Sequence, residues 1–99
     1  MENLIQTKNK TFKLTIHSIE RQYDHLLQNV DLTDALARAK KLQDSNSHKF
    51  GQALQRVYWN KKTYEPYTAI YVNSYYDIQF RVDARTNTIL TVCPLSTQY

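Results

Sequence analysis

Apolar residues fall at Ile16, Ile19, Tyr23, Leu26, Leu27 and Val30. Steps of three and four draw one stripe along a helix, which predicts a first helix from about Ile16 to Asn29. Thr15 stands where its side-chain oxygen can accept a bond from a free amide of the first turn. A second stripe follows almost at once: Leu32, Ala35, Leu36, Ala39 and Leu42. Asp31 or Thr33 caps this second helix, Asp34 sits in its first turn and Lys40-Lys41 in its last, all favourable for the helix dipole. The short link makes the pair an αα-hairpin or an angled corner.

Further on the period changes to two. Thr68 to Val72 reads as a strand ended by Asn73-Ser74, and Tyr76 to Val82 alternates most cleanly of all. Asp83 to Asn87 is a turn, and Thr88 to Cys93 is a last strand ended by Pro94. Near the start, Phe12 and Leu14 alternate with polar neighbours, as a short strand or extended lead-in would. Residues 1–10 are polar and expected to fray, with Leu4 and Ile5 as their apolar anchors. Phe50 to Asn60 suits two structures. Phe50, Leu54, Val57 and Tyr58 fit a helix, while Val57 and Trp59 would share one face of a strand. A strand from about Leu54 is favoured because strands follow. The expected fold is α+β: two N-terminal helices packed on one face of a three- to four-stranded antiparallel meander, all in a single domain, 1–99.

Parity then assigns the strand faces. Tyr76, Ile78, Phe80 and Val82, with Ile70, Val72, Leu90 and Val92, are expected to bury against the helices, each side chain contributing roughly 1.5–3 kcal/mol. The opposite face would hold Tyr67, Tyr71, Tyr75, Gln79, Arg81, Thr91 and Cys93, joined by Arg56 and Tyr58 if their segment is a strand. Tyrosine and arginine together suit a single nucleic-acid strand. They also suit an ordinary solvated face.

Composition narrows the class. The 99 residues are 41% hydrophobic and 22% charged, which is globular rather than disordered. Net charge is +4 and the isoelectric point is near 9.2, so a polyanionic partner is compatible but not required. Seven of the eight tyrosines lie from Tyr58 onward. Cys93 is the single cysteine, so no internal disulfide forms, and His17, His25 and His48 lack zinc-ligand spacing. No metal and no other cofactor is expected. With Glu2 and no apolar run at the start, a signal peptide is not expected, and no stretch approaches the length of a membrane span. A cytoplasmic site of action fits, with delivery into a target cell as part of a larger protein the other route. A single glycine, Gly51, leaves no glycine-rich phosphate loop.

The candidate chemistry lies on the first helix. His17 and Arg21 are i and i+4 and therefore neighbours, a titratable imidazole beside a permanent cation. Such a pair near a helix N-terminus suits a phosphate, although any solvated helix face carries similar residues. From Phe12 to Pro94 the order of elements resembles the small metal-independent ribonuclease and toxin superfamily that groups barnase, EndoU, colicin nucleases and RelE. The carrying residues are His17-Ser18-Ile19-Glu20-Arg21 at the opening and Ile89-Leu90-Thr91-Val92-Cys93-Pro94 at the close. Phe80-Arg81-Val82-Asp83 and the Thr86-Asn87 turn precede the latter. Two positions depart from the family pattern: His25 stands where a second Arg is common, and Cys93 where Tyr is common.

The resemblance implies endonucleolytic RNA cleavage. The 2′-OH attacks the adjacent phosphate, leaving a 2′,3′-cyclic phosphate and a free 5′-OH. His17 would be acid or base, Arg21 would hold the phosphate and Thr91 would donate to a phosphate oxygen. His25, Tyr71 and Arg81 would bind substrate. RNA, and a cognate antitoxin or immunity protein, would be the partners. Two rivals use the same residues differently. One is a nucleic-acid-binding module without chemistry; the other is a protein-interaction module using an aromatic patch of Tyr58, Trp59, Tyr64 and Tyr67.

Overall fold

The strands that alternate most cleanly form the middle of the sheet. A computed structural model of the chain describes residues 3–8, 10–24, 30–64 and 67–95. β4 (Thr68–Asn73), β5 (Ile78–Asp83) and β6 (Thr88–Pro94) make an antiparallel meander. The turns joining them place Asp77 and Asn87 at φ +53° and +53°. Asp and Asn are the non-glycine residues that enter this left-handed region most readily.

On one side of the meander lies a hairpin of β1 (Asn3–Gln6) and β2 (Thr11–Leu14). β2 runs parallel to β6, with Lys13 opposite Thr88 and Leu14 opposite Ile89. On the other side the two-residue β3 (Lys40–Lys41) pairs with β4. The full order is β1-β2-β6-β5-β4-β3, a six-stranded mixed sheet. Among the described residues three α-helices accompany it: α1 (Ile16–Asp24), α2 (Leu32–Ala37) and α3 (Gln52–Tyr64).

This architecture corrects the expected three- to four-stranded antiparallel meander under two N-terminal helices. The sheet has six strands and one parallel pairing. α3 occupies the stretch expected to be a strand from Leu54. Its Leu54, Val57 and Tyr58 are buried at helical spacing, and that burial outweighs the strand preference of the aromatic residues. The N-terminal stretch expected to fray contains β1, anchored by buried Ile5. The second helix stops at Ala37, and Lys40-Lys41, expected in its last turn, pair with the sheet instead. Both expected caps are made: Ser18 N–H donates to Thr15 Oγ1 at 3.0 Å and Asp34 N–H to Asp31 Oδ1 at 3.1 Å.

The sheet is curled. β2 and β4 are separated in it by two strands, yet Phe12 and Tyr71 meet edge to face, with ring centroids 5.8 Å apart. Inside the curl Ile5, Phe12, Ile78, Phe80, Val82, Ile89 and Val92 form one core, into which α2 inserts Ala35 and Leu36. On the outer face Ile70 and Val72 pack with Leu42, Leu54, Val57 and Tyr58 from the α3 side.

Two cores mean that β4 is buried on both sides, and this corrects the expected strand faces. Ile70 and Val72 stand opposite Arg81 and Gln79, so they share the outer face with them. Tyr71 stands opposite Phe80, on the inner face. Gln79 and Cys93, expected on a solvated face, are buried. Leu90 is 40% exposed at a bulge, where Arg81 pairs with Thr91 and Val82 with Ile89. A bulge adds one residue and resets alternation beyond it.

Polar bonds hold α2 to the β4–β5 turn. Buried Asn73 donates from Nδ2 to the Ala35 carbonyl at 2.9 Å. Tyr76 O–H donates to Asp34 Oδ2 at 2.6 Å, and Arg38 Nε donates to Asp34 Oδ1 at 2.9 Å. The Tyr76 bond first, and Arg38 second, hold the Asp34 carboxyl below its ordinary value.

Phe80→Ala is expected to cost about 3–5 kcal/mol, since Phe80 fills the inner core and is fully buried; urea unfolding measures it. A carboxyl lowered in the folded state stabilises above its unfolded pKa and loses that stabilisation as pH falls through its folded pKa. Asp34→Asn is therefore expected to reduce the loss of thermal stability that the native protein undergoes as pH drops below the ordinary carboxylate value. Equal acid sensitivity of the two proteins in parallel melts would contradict this.

Candidate functional site at the α1–β6 junction

The first turn of α1 is locked by a reciprocal set of bonds. Thr15 N–H donates to Ser18 Oγ at 3.0 Å, Ser18 N–H donates to Thr15 Oγ1 at 3.0 Å, and Ser18 Oγ donates to the Thr15 carbonyl at 2.8 Å. This is a capping box with serine in place of the usual acidic residue. Ser18 is wholly buried. Thr15 Oγ1 has one more bond to make, and donates to the Ile89 carbonyl of β6 at 3.0 Å. The helix therefore starts at the strand, and α1 packs along β6.

His17 is exposed in this first turn. Arg21 follows one turn later on α1; its side chain lies outside the described residues, and His25 lies outside them altogether. Thr91 is half-buried on β6, two residues beyond the Ile89 anchor, and its cross-strand neighbour is half-buried Arg81 on β5. The structure thus brings the His17 turn to the strand that carries Thr91, with Arg81 beside that threonine. Tyr71 does not join them. It lies on the inner face against Phe12, and its hydroxyl is 3.3 Å from Lys10 Nζ.

The broad tyrosine and arginine face foreseen from parity does not form. Tyr67 is 57% exposed, but Arg85 stacks over its ring with the guanidinium carbon 4.5 Å from the centroid. Arg85 is held there by Asp83 at 3.1 Å. Tyr75 is exposed in the β4–β5 turn. Gln79 donates from Nε2 to the Pro94 carbonyl at 3.3 Å, and its Oε1 meets no hydrogen-bond partner among the described residues.

A concavity lies between α3 and the preceding 3-10 turn, Ser47–Phe50. It is an open groove of about 630 Å³ lined by His48, Gln55, Arg56, Tyr58 and Trp59, with Asp44 and Ser47 at its edge. Trp59 is 63% exposed, whereas Tyr58, expected in the same exposed patch, is buried and donates its O–H to Asp44 Oδ1 at 2.7 Å. α3 places Arg56 and Trp59 three residues apart, on one face.

No helix of the described residues is long and apolar enough to cross a membrane. Comparison with protein-family models, curated proteins and solved structures finds no match.

Thr15→Val keeps the shape of the side chain and removes both the cap and the bond to β6. The expected cost is about 2 kcal/mol in urea unfolding, with faster amide exchange in the first turn of α1. A variant with native stability would show that this junction is not what fixes α1.

Proposed function

We propose that the protein is a small toxin-type endoribonuclease that cleaves RNA by internal attack of the 2′-OH. The products are a 2′,3′-cyclic phosphate and a free 5′-OH. What supports this is the 3.0 Å bond from Thr15 to the Ile89 carbonyl. It ties the helix carrying His17 and Arg21 to the strand carrying Thr91, and the proposal sets one phosphate between these two segments. The reading is further supported by the packing of α1 along β6, the two elements that hold the opening and closing motifs of the resemblance.

The roles follow from what the reaction needs. His17 takes the proton from the 2′-OH or returns one to the leaving 5′ oxygen. Arg21 offers a planar pair of N–H donors to the non-bridging oxygens as negative charge builds on phosphorus. Thr91 adds one hydroxyl donor, and Arg81 at its side adds positive charge. A producing cell needs a neutralising protein partner for such an enzyme, which is the expected cognate antitoxin or immunity protein.

Purified protein freed of any bound partner is expected to generate cyclic-phosphate ends on single-stranded RNA. His17→Ala and Arg21→Ala should each slow the reaction by about 10²-fold or more, with circular dichroism unchanged. RNA ends without cyclic phosphate, or no cleavage by the native protein, would reject the enzyme; binding without cleavage would select the non-catalytic module.

A further inference from the structure

The groove beside α3 has the parts of a second contact for RNA. Arg56 and Trp59 project from successive turns of one helix face, and His48 enters from the 3-10 turn opposite. Trp59 offers a large, mostly uncovered ring, and a guanidinium lies one turn away. A shallower concavity adjoins it through Tyr58 and Asp44 and is edged by Lys41 and Lys61. Among the described residues four basic side chains, His48, Arg56, Lys41 and Lys61, therefore border a surface whose one acidic group, Asp44, already accepts the Tyr58 hydroxyl. Lys61 also lies over the Tyr58 ring, 5.1 Å from its centroid. These bonds fix the floor of the groove while Trp59 stays uncovered.

An exposed indole among cations suits a base that can stack, joined to a phosphate that the cations attract. A duplex hides the faces of its bases, so a single strand is the form that fits. The volume of about 630 Å³ lies within the span of small-ligand sites, about 300–1,000 Å³. The groove is open at its side, so a chain can continue beyond it. We propose that this groove is a base-stacking subsite for single-stranded RNA, with Trp59 as the platform and Arg56 and His48 as phosphate ligands. The proposal rests on the RNA-directed function above and adds a place where substrate is gripped away from the α1–β6 junction.

Trp59 is the sole tryptophan, so its emission reports on this groove alone. The probe is a 2′-deoxy single strand of about ten nucleotides, which lacks the attacking hydroxyl and cannot be cleaved by the proposed route. Titrating it into the full chain should quench the emission, with affinity falling steeply as salt rises. Trp59→Ala, followed by anisotropy of a labelled strand, should bind about 5- to 150-fold more weakly, with Trp59→Phe recovering part of the loss. Arg56→Gln should weaken binding and flatten the salt dependence. Unchanged emission at saturating strand, equal binding of the matching duplex, or a groove that answers only to a protein partner would each overturn the subsite. RNA cleavage with an unaltered KM in Trp59→Ala would remove the subsite and leave the nuclease standing. Quenching by the strand with no RNA cleavage would do the reverse.

Discussion

The fold depends on a short parallel seam between β2 and β6. Two residue pairs are in register there, Lys13 with Thr88 and Leu14 with Ile89. Lys13 N–H donates to the Asn87 carbonyl at 2.9 Å, and the Thr15 hydroxyl bond to Ile89 continues the contact beyond the strand. The groups in that last bond are 74 residues apart in sequence. Bringing such distant segments together carries an entropy cost that rises only slowly with separation, so a few good bonds and a shared core can offset it. Without the seam, β1 and β2 would be an isolated two-stranded ribbon, which is marginal in water. Ile5 and Phe12 would leave the inner core, and α1 would lose the anchor of its first turn.

The seam also explains why the sheet curls. Adding β2 beside β6 brings Phe12 over the inner face until it meets Tyr71 of β4. α2 then fills the remaining opening, touching both β1 and β4 and burying Ala35 and Leu36. Asn73 satisfies the Ala35 carbonyl from within this closure and accepts the Tyr75 and Tyr76 amides at 3.0 and 3.2 Å. A buried side chain amide that uses both its donor and its acceptor ends in this way carries little of the desolvation cost of an unpaired group. The inner core is thus sealed by polar contacts as well as by apolar ones.

Where one face of an element met water, its pattern was readable. The caps Thr15 and Asp31 are set by local chemistry at the helix starts, and in Tyr76–Val82 the apolar positions Ile78, Phe80 and Val82 all reach the inner core. β4 has no single boundary between core and solvent. Ala69 and Tyr71 point into one core and Ile70 and Val72 into the other, so its sequence is apolar throughout and its parity is undefined. β3 is two lysines long, and a strand of that length has no period to detect. β2 depends on a partner far along the chain, so the alternation of Phe12 and Leu14 suggests an extended lead-in but not its place in the sheet. Of the candidate residues, Thr91 and Arg81 are cross-strand partners, and the first turn of α1, which carries His17, is tied to β6 by the Thr15 hydroxyl bonding two ways; no local spacing encodes that tie.

The tyrosines illustrate how composition can point to the wrong surface. Eight in a chain of 99 suggested a stacking face. Among the described residues, Tyr58, Tyr67, Tyr71 and Tyr76 have rings or hydroxyls committed to structure, while Tyr75 is exposed. Tyr76 donates to Asp34, and that bond, with burial second, holds its phenol above the ordinary range. Burial first, and the Asp44 bond second, do the same for Tyr58. Tyr71 packs on Phe12, and the Tyr67 ring is covered by Arg85. A ring already stacked on a guanidinium, or buried beneath a carboxylate contact, must break that contact before it can take a base. Trp59 has no comparable obligation from its burial, since most of its surface remains exposed. Trp59, whose type occurs once in the chain, lies on a helix that its own strand-favouring side chains disguise.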